Sequence, residues 1–571
     1  MRWIRPSLNH GQAGHVARQF GISQVVANLL LNRGLADHEQ IEQFLNPRLQ
    51  SLDDPLKLAN MPQAVARVEQ ALQRQESVLI FGDYDVDGVT STVFLTHFLR
   101  QFGLNPSFVV PKRLEEGYGL SMEALQRALA NGNPDLLIAV DCGTSSVEEI
   151  AWLRQQGISV LVLDHHTSKE ALPEDCLLVN PHVHDGENVP WKNLCSVGLV
   201  FKFCHAFLKV MREKGDHLAE QTDLRDYLDL VAMGTVADLV LLEGENRILV
   251  KHGLSRLRRC RRPGVCALME VAGIQLGEEI SPFDIGFKIG PRINASGRLD
   301  DATMPIDLLL NEDWTSCSKS ARLLDSFNRD RQDIERAITE EAEQQVTGQF
   351  AGSRGLILHG ADWHAGVVGI VASRIARKFN RPALVLGSDG DGLLKGSGRS
   401  IEGVDLVEIL KDCTDHMLQW GGHPMAVGLT AETGKIKALR EAFDTALRKQ
   451  FPDGLPEPVL KIDATMPADQ LTESLLEELS SLAPYGQGNP EPILAITGVS
   501  IGNIAPLGTG HVRFSIERGH NLPPVDGVAW GMAENPPPTG MPVDLAVRYH
   551  WHTWRGRRSQ RVTLLDWRHS A

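Results

Sequence analysis

The chain has 571 residues, of which 42% are hydrophobic and 23% are charged, and its formal net charge is −15. This length excludes a single hydrophobic core and predicts three or four domains of ordinary globular composition. No stretch approaches the roughly 20 apolar residues that cross a bilayer, and the start of the chain lacks the apolar core of a signal peptide, so we expect a cytoplasmic protein without membrane attachment. The acidic balance excludes no substrate, because phosphate is bound by local basic surface and a metal-dependent nuclease needs carboxylates.

The eight cysteines are scattered without any C-x-x-C pair. This spacing argues against a thiolate zinc site and against a disulfide framework. We therefore expect reduced, mostly buried thiols.

The first 70 residues are predicted to be helical and polar, and they suggest no chemistry. From Glu76 onward, short apolar runs alternate with helical stretches, and three of these runs end at aspartates: Ser77–Phe81, Leu136–Val140 and Val160–Leu163. Such alternation predicts a parallel sheet with helices on both faces, here a domain over residues 71–250. Because ligands of open parallel sheets bind beyond the carboxyl ends of the strands, we expect these acidic residues on one rim.

The rest of the chain predicts three further parts. Residues 251–350 are mainly helical, and Ser318–Gln345 is typical of a long connecting helix. A second α/β domain follows over residues 351–450. After a linker with several prolines, residues 459–571 consist of short apolar runs broken by Gly and Pro, which predicts an antiparallel barrel.

The first acidic motif is Phe81-Gly82-Asp83-Tyr84-Asp85-Val86-Asp87-Gly88. Its three alternating carboxylates would repel one another unless cations lie between them. An acidic turn is the alternative. A calcium loop of the EF-hand type does not fit, because position 12 counted from Asp83 is Phe94.

Three weaker features accompany this motif: Asp141 at a strand end, Asp164-His165-His166 after the next strand, and Asp238 after an apolar segment. Taken singly, such aspartates often cap helices and such histidines are often structural. Together, carboxylates and imidazoles without thiolates suit Mg²⁺ or Mn²⁺. Two such ions about 3.5 to 4 Å apart would form a hydrolytic centre for phosphodiesters that needs no protein nucleophile.

The ordered set Asp85-x-Asp87, Asp141, Asp164-His165-His166 and Asp238 resembles the DHH phosphoesterase superfamily, and the segment 421–428 resembles the GGHxxAxG signature of its DHHA1 domain. Within the superfamily, the motifs 81–88, 291–298 (PRINASGR) and 484–490 (PYGQGNP) are similar to those of the bacterial RecJ family. The resemblance covers residues 70–571. It implies a 5′-to-3′ exonuclease specific for single-stranded DNA, which releases 5′ mononucleotides in recombination and repair.

The resemblance also implies roles for individual residues. Two ions, Mn²⁺ or Mg²⁺, would be held by five ligands, with Asp141 as the bridge: Asp85, Asp87, Asp141, His165 and Asp238. His166 would face the scissile phosphate, and Asp164 would orient the histidines. Asp83 is either a further ligand or a neighbour of the ligands. His423 of the second domain would donate to a nonbridging phosphate oxygen.

Three segments are candidates for contacts with the substrate. Arg292, Asn294, Ser296 and Arg298 have a composition suited to a phosphate-gripping loop, although a turn with two exposed arginines would look alike. In the second domain, Gly421 and Gly422 would close over the metal site, and the segment 395–400 brings charge to a glycine-rich loop. Our hypothesis is that Arg113, Ser397 and Arg399 recognise a 5′ phosphate.

The third segment, 548–558, interleaves aromatic and cationic residues, as oligonucleotide-binding (OB) barrels do for single strands. Trp551, Trp554 and Arg555 are the candidates. A hairpin with core tryptophans and solvated arginines is the alternative.

Two other functions remain open. One is a small-substrate phosphoesterase that cleaves pyrophosphate, cyclic dinucleotides or short oligonucleotides, although the extra C-terminal barrel favours a long polymer. The other is a catalytically silent replication scaffold, which would have lost metal ligands; none is lost. The resemblance further implies single-strand-binding protein and a RecQ-type helicase as partners. A monomer is favoured, since four domains around one cleft need no second copy.

Overall fold

The protein was analysed as a computed structural model, which describes residues 1–5, 10–112, 116–117, 119–130, 132–168, 171–299, 302–350, 352–388, 392–519, 522–554 and 557–570. The N-terminal segment contains β1 Arg2–Ile4, α1 His10–Phe20, α2 Gln24–Asn32, α3 His38–Leu45 and α4 Met61–Arg74. None of the described helices is both long and apolar enough to span a membrane.

The first α/β domain is built around a five-stranded sheet in which every pair of neighbours is parallel. The elements are β2 Val78–Phe81, α5 Val86–Gln101, β3 Ser107–Val109, α6 Met122–Ala128, β4 Leu136–Val140, α7 Val147–Gln155, β5 Ser159–Leu163, β6 Leu177–Val179, α8 Pro181–His184, α9 Ser196–Glu213, α10 His217–Gln221 and α11 Leu228–Ala237. The strand order is β3-β2-β4-β5-β6. Strands β2 and β4 are buried along their whole length, because their continuous apolar runs are covered on both faces.

The helical region that follows packs on this domain. It contains α12 Gly244–Arg259, α13 Pro263–Val271, α14 Pro282–Asp284, a π-helical turn Ile285–Ile289, α15 Gly290–Leu299, α16 Met304–Leu310 and α17 Trp314–Gln349. Helix α17 has 36 residues and therefore spans about 54 Å. Its Leu324 belongs to the core of the first α/β domain and its Ala342 to that of the second. The long connecting helix expected from the sequence is present.

The second α/β domain has a mixed five-stranded sheet of order β10-β11-β9-β8-β7. Its elements are β7 Leu356–Gly360, α18 Val368–Phe379, β8 Ala383–Ser388, β9 Leu393–Arg399, α19 Leu406–Lys411, β10 Gln419–His423, β11 Ala426–Glu432 and α20 Ile436–Gln450. Only β7 and β8 pair in parallel; the remaining neighbours are antiparallel.

The C-terminal domain has a seven-stranded sheet of order β13-β14-β18-β19-β17-β16-β15. The elements are β12 Val459–Lys461, β13 Ala464–Met466, α21 Glu473–Ser481, β14 Leu494–Val499, β15 Ala505–Pro506, β16 Val512–Ile516, β17 Val525–Ala529, β18 Val543–Trp554 and β19 Arg557–His569. Two neighbouring pairs, β13–β14 and β17–β19, are parallel. The expectation of a purely antiparallel barrel is wrong for these two pairs, which are joined by connections longer than a hairpin.

The N-terminal segment folds onto the other end of the chain. Strand β1 pairs with β12 in parallel, with Trp3 opposite Leu460. Leu30 of α2 is fully buried in one core with Leu475 and Phe514 of the C-terminal domain. Helix α4 instead packs in the core of the first α/β domain.

The motif 484–490 attaches the C-terminal domain to helix α12. Arg247 of α12 is buried and donates to the Ala483 carbonyl at 3.0 Å. The backbone N–H of Leu242 donates to the Gln487 carbonyl at 2.8 Å. This contact lies four residues after Asp238, so the motif borders the segment that carries a predicted metal ligand.

One pair of cysteines is oxidised, contrary to the expectation of reduced thiols. Cys260 and Cys266 form a disulfide across the short connection from α12 to α13, so the prediction that all thiols are reduced is wrong for them. A spacing of six residues without further cysteines nearby gave no signal of this bond. The other six are free, and all but the half-buried Cys176 are buried.

Candidate metal centre

The predicted acidic rim exists at the carboxyl ends of three adjacent strands. Asp83 follows β2, Asp141 follows β4, and Asp164 and His165 follow β5. Asp238 comes from the end of α11, which packs against α5 of the same domain. The topology of the parallel sheet therefore brings together residues that are up to 155 positions apart in the chain.

The loop after β2 is folded tightly against the start of α5. Asp85 is the N-cap of this helix, and its Oδ1 accepts hydrogen bonds from the N–H groups of Asp87 and Gly88 at 2.9 and 3.1 Å. A Cβ atom at Gly88 would lie 2.5 Å from the Asp83 carbonyl oxygen, so only glycine fits there. The cap leaves Oδ2 of Asp85 available to a ligand.

The N-terminus of α9 fixes two of the carboxylates. The N–H groups of Ser196 and Val197 donate to the two carboxylate oxygens of Asp87 at 2.7 and 2.9 Å. The Ser196 hydroxyl donates to Asp141 Oδ1 at 3.0 Å. Asp141 adopts a left-handed backbone conformation, with φ of 64°. Such a conformation is uncommon outside glycine and often occurs at functional sites.

The ligand atoms form three overlapping groups, each with its atoms within 4.8 Å of one another. They are Asp83 with Asp85 and Asp141, Asp87 with His165 and Asp238, and Asp141 with His165 and His166. Asp141 and His165 each belong to two of these groups, and of the two only the carboxylate has a second oxygen with which to bridge two cations.

His165 Nε2 points into the middle of the carboxylates without a hydrogen bond. It lies 3.4 Å from Asp141 Oδ1, 3.4 Å from Asp238 Oδ2 and 3.9 Å from Asp87 Oδ2. His165 Nε2 and Asp238 Oδ2 are both buried and without a hydrogen-bond partner among the described residues. Buried polar atoms are normally paired, so these two atoms are oriented for a ligand.

The buried carboxyl groups of the cluster raise one another's pKa, as is typical of a site that binds cations. Burial and the neighbouring Asp85 raise the pKa of Asp87 to about 7. Burial, Asp87 and Asp85 raise the pKa of Asp238 to about 8, and burial with several carboxylates raises the pKa of Asp141 well above its ordinary value. A bound cation reverses this effect, because its charge favours the ionised carboxylates.

The two adjacent histidines have opposite protonation preferences. Burial and the charge of His166 lower the pKa of His165 to about 4, which keeps this imidazole neutral and able to ligate. Burial also acts against protonation of His166, but its 2.7 Å hydrogen bond with Asp164 outweighs burial and raises its pKa to about 9. A protonated His166 can donate to a phosphate oxygen.

Asp164 serves as the anchor of both histidines. Its Oδ1 accepts from the backbone N–H groups of His165 and His166, and its Oδ2 accepts from the Thr144 hydroxyl at 2.6 Å. Asn180 donates to the Thr144 hydroxyl and to the His166 carbonyl. Although burial acts against ionisation, the hydrogen bond and charge of the His166 side chain and the hydrogen bond from Thr144 lower the pKa of Asp164, so it stays a carboxylate.

The donor set fits two hard or borderline divalent cations. It offers carboxylate oxygens and one neutral imidazole, and no cysteine belongs to the three ligand groups in the described part of the chain, as Mn²⁺ and Mg²⁺ prefer. Asp85, Asp87, Asp141, His165 and Asp238 would hold the ions, and Asp83 lies close enough to contribute. Ions bound there would neutralise charge on a phosphodiester and lower the pKa of an attacking water.

The predicted phosphate-gripping loop is wrong: the segment 291–298 is part of helix α15. Arg292 is paired with Asp325 at 2.8 Å and donates to the Lys288 carbonyl. Ser296 is fully buried, and its hydroxyl donates to the Ile293 carbonyl. Both side chains therefore have partners within the protein, and their contact with the substrate stays a prediction.

Two other residues of this helix keep an open role. Asn294 has a buried Oδ1 without a hydrogen-bond partner among the described residues. Gly297 packs against Tyr84, where a Cβ would lie 3.3 Å from Tyr84 Cβ, so α15 lies directly on the acidic motif. The side chain of Arg298 lies outside the described residues.

The predicted contacts of the second domain lie on neighbouring strands. Ser397 pairs with Gly428 and Arg399 with Ala426 in the β9–β11 ladder, while His423 pairs with Ala426 in the β10–β11 hairpin. Gly421, Gly422 and His423 are exposed. Among the described residues, no hydrogen bond or ion pair joins these side chains to the carboxylate cluster. Arg113 lies outside the described residues.

The C-terminal candidates are only partly described. Trp551 is half-buried, and the Arg558 guanidinium stacks on its ring at 4.2 Å. The side chain of Trp554 and all of Arg555 lie outside the described residues. Trp551 packs against the C-terminal core and Arg558 is exposed, so the hairpin alternative stays open beside a role in binding.

Sequence reasoning missed Ser196, Thr144 and Asn180, which position the ligands. Ser196 opens an apolar helix after Cys195, and its only signal was a small polar residue at a helix start. Thr144 and Asn180 belong to no acidic or histidine motif. Their roles follow only from the folded arrangement.

Three family models match the chain. The DHH family N-terminal domain matches residues 77–235, the DHHA1 domain residues 346–449, and the RecJ OB domain residues 462–566. Among curated proteins, the single-stranded-DNA-specific exonuclease RecJ of Escherichia coli is 34% identical over 95% of this chain and 95% of its own. That of Bacillus subtilis is 32% identical over 99% of this chain and 70% of its own.

Solved structures are similar over the whole chain. RecJ of Thermus thermophilus in complex with Mn²⁺ superposes with a TM-score of 0.82 at 29% identity and covers 100% of this chain and 80% of that one. The same protein in complex with Mg²⁺ gives a TM-score of 0.78 at 28% identity, with coverages of 100% and 79%. The mixed α/β fold with a C-terminal OB domain is thereby confirmed.

Proposed function

Since this chain belongs to the RecJ family of single-stranded-DNA-specific exonucleases, we propose that it removes nucleotides from single-stranded DNA by hydrolysis of phosphodiester bonds with Mn²⁺ or Mg²⁺. One observation carries this proposal: a buried, unpaired His165 Nε2 and four surrounding aspartates are arranged for cations. No ligand position of the family motif is replaced in this sequence, which speaks against a catalytically silent scaffold.

In this reaction the side chains of the protein would bind the cations and donate hydrogen bonds to the scissile phosphate. The neutral His165 and the ionised aspartates would bind the cations. Hydrogen bonds with Ser196 and Asp164 fix the orientations of Asp141 and His165. His166, protonated against Asp164, donates to a nonbridging oxygen of the scissile phosphate. His423 of the second domain would supply a further donor.

We further propose 5′-to-3′ polarity with release of 5′ mononucleotides. The support is a candidate phosphate pocket in the second domain, where a Cβ at Gly369, beside the start of α18, would lie 3.2 Å from Ser397 Oγ and 3.4 Å from Arg399 Nη2. A hydroxyl, a guanidinium and a helix N-terminus together suit a terminal phosphate. Single-strand-binding protein and a RecQ-type helicase are proposed partners, and the cytoplasm, where such an enzyme meets DNA, is the proposed location.

The test is digestion of single strands labelled at the 5′ or the 3′ end, beside the matching duplex, with Mn²⁺ or Mg²⁺. We expect labelled mononucleotide to appear first from the 5′ end, and little product from the duplex. Arg399→Gln should reduce the preference for phosphorylated over hydroxyl 5′ ends, whereas Lys435→Gln, at an exposed position of the same domain outside the candidate segments, should leave it largely unchanged. Cleavage of dinucleotides but not of long strands would instead support the small-substrate phosphoesterase.

A further inference from the structure

Two phenylalanines on the segment between α13 and α15 are exposed in a way that core packing does not explain. Phe283 is 60% and Phe287 70% exposed, while Ile285 and Ile289 of the same segment are fully buried. The two phenyl rings stack with centroids 4.6 Å apart and an angle of 22° between their planes. This short segment therefore has an apolar face in the core and an aromatic face towards solvent.

The segment that carries this aromatic pair continues towards the metal centre. Phe287 is followed by Gly290, where a Cβ would lie 3.6 Å from Val86 Cγ2 and 3.9 Å from Ala237 Cβ. Val86 lies between two predicted ligands, and Ala237 precedes Asp238. Since seven residues of helix span about 10 Å, Phe283 lies only a few nucleotides' length from the cluster.

The other end of the pair opens into a large cleft. Phe283 lines a cavity of about 930 Å³ between the helical region and the C-terminal domain. The aromatic and cationic residues that share this lining are Lys251, Tyr485, Tyr549, Trp551 and Arg558. Phe283 thus borders this cleft, while Gly290 at the other end of the segment lies beside neighbours of the predicted ligands.

The chemistry of the cleft favours bases over other ligands. Trp551 carries the stacked Arg558, and its buried Nε1 has no hydrogen-bond partner among the described residues. Three of the four carboxylates in the lining are paired with cations: Asp284 with Lys288, Glu477 with Arg558, and Glu491 with Arg548. Flat rings beside guanidinium groups are the surface on which unpaired bases stack.

We propose that Phe283 and Phe287 form a base-stacking platform, which holds the nucleotides of a single strand between the C-terminal cleft and the metal centre. This inference rests on the proposed function and adds a binding site to it. The platform recognises the faces of unpaired bases, so it acts without sequence preference and excludes paired bases. Phe287 lies within the π-helical turn Ile285–Ile289, and such turns are often found at functional sites.

The test compares wild-type protein with Phe283→Ala, Phe287→Ala and the double variant, and Trp314→Ala serves as the exposed aromatic control. The substrates are a single strand of about 20 nucleotides, the same strand with abasic sites downstream of its 5′ end, and a 5′-phosphorylated dinucleotide. On the normal strand, each single variant should raise KM about tenfold, since one stacked base contributes about 1 to 3 kcal/mol.

The proposal also predicts which substrates the variants should cleave as the wild-type protein does. Dinucleotide cleavage should stay at the wild-type rate, and the abasic strand should be cleaved equally by all variants. Phe287→Trp should keep the wild-type KM on the normal strand, because it keeps an aromatic ring, whereas Phe287→Leu should raise KM as Phe287→Ala does. An unchanged KM on the normal strand would overturn the proposal and leave a protein-docking role for the pair. An equal loss of activity on all three substrates would also overturn it. Failure of wild-type protein to cleave any single strand would refute the proposed function instead.

Discussion

His165 Nε2 lies 3.4 Å from Asp141 Oδ1, and among the described residues no hydrogen bond joins the two atoms, although His165 Nε2 and the Asp141 side chain are buried. A neutral imidazole that faces a carboxylate at this distance leaves space for a shared ligand. A divalent cation is the ligand that satisfies both groups at once. The predictions that follow depend on this relationship.

Replacing the proposed bridge should separate activity from stability. Asp141→Asn replaces a buried carboxyl group, whose ionisation the neighbouring carboxylates oppose, by a neutral amide, so the metal-free variant should melt about 1 to 3 °C higher than wild type. Activity should fall by about 1,000-fold, because both ions lose a shared ligand. Thermal melts with chelator and single-strand digestion with Mn²⁺ measure the two effects. A variant that is active, or that is less stable without metal, would contradict the bridging role.

Metal affinity should rise with pH. In the metal-free protein, the pKa values of Asp87 and Asp238 are raised to about 7 and 8, so protons occupy these carboxylates below that range and must leave when a cation binds. Mn²⁺ affinity should therefore increase from about pH 6 to about pH 8 and level off above it. His165 is already neutral across this range. Calorimetry in buffers of different ionisation enthalpy counts the released protons, and Asp238→Asn should release fewer. A constant affinity across the range would refute the linkage.

Ser196 is expected to act as a positioning residue for Asp141. Ser196→Ala removes the 3.0 Å hydrogen bond to Asp141 Oδ1 but leaves the backbone donors to Asp87 intact. Mn²⁺ affinity should drop about 10- to 100-fold, as is typical when a partner of a ligand is lost. The matched control is Ser91→Ala, because the Ser91 hydroxyl is buried and has no hydrogen-bond partner in the described part of the chain. Recovery of kcat at saturating Mn²⁺ would separate this role from a general loss of structure.

Arg247 should hold the C-terminal domain against α12. Its guanidinium donates to the carbonyls of Ala483 and Phe44 and stacks on the Phe44 ring at 3.7 Å. Arg247→Leu leaves these buried acceptors unpaired, which should cost about 2 kcal/mol of stability. Limited proteolysis should then release the C-terminal domain earlier than in wild type. The control, Arg259→Leu, makes the same change at an exposed position of the same helix. Equal protease resistance of both variants would show that the contact is dispensable.

The acidic rim and the long helix could be predicted because each depends on local pattern. Buried strands read as continuous apolar runs, and parallel topology then fixes where Asp141 and Asp164 must meet. The 36 residues of α17 carry a helical apolar period with Asp313 as its cap.

Features that depend on tertiary contacts were missed or wrong. Arg292 and Ser296 suggested a loop because Gly297 and polar residues are typical of turns, yet packing of Ile293 and Gly297 against the first domain makes the segment helical. The docking of α1, α2 and α3 onto the C-terminal domain involves partners more than 400 positions away, such as Leu30 and Leu475. No local pattern encodes such a contact.

The central claim is that the aspartates and His165 hold two cations, and a crystal grown or soaked with Mn²⁺ tests it most directly. Anomalous difference maps should show two peaks about 3.5 to 4 Å apart, with Asp141 between them and His165 Nε2 facing the one beside Asp87 and Asp238. No peak within reach of these side chains in protein that degrades single strands would contradict the account.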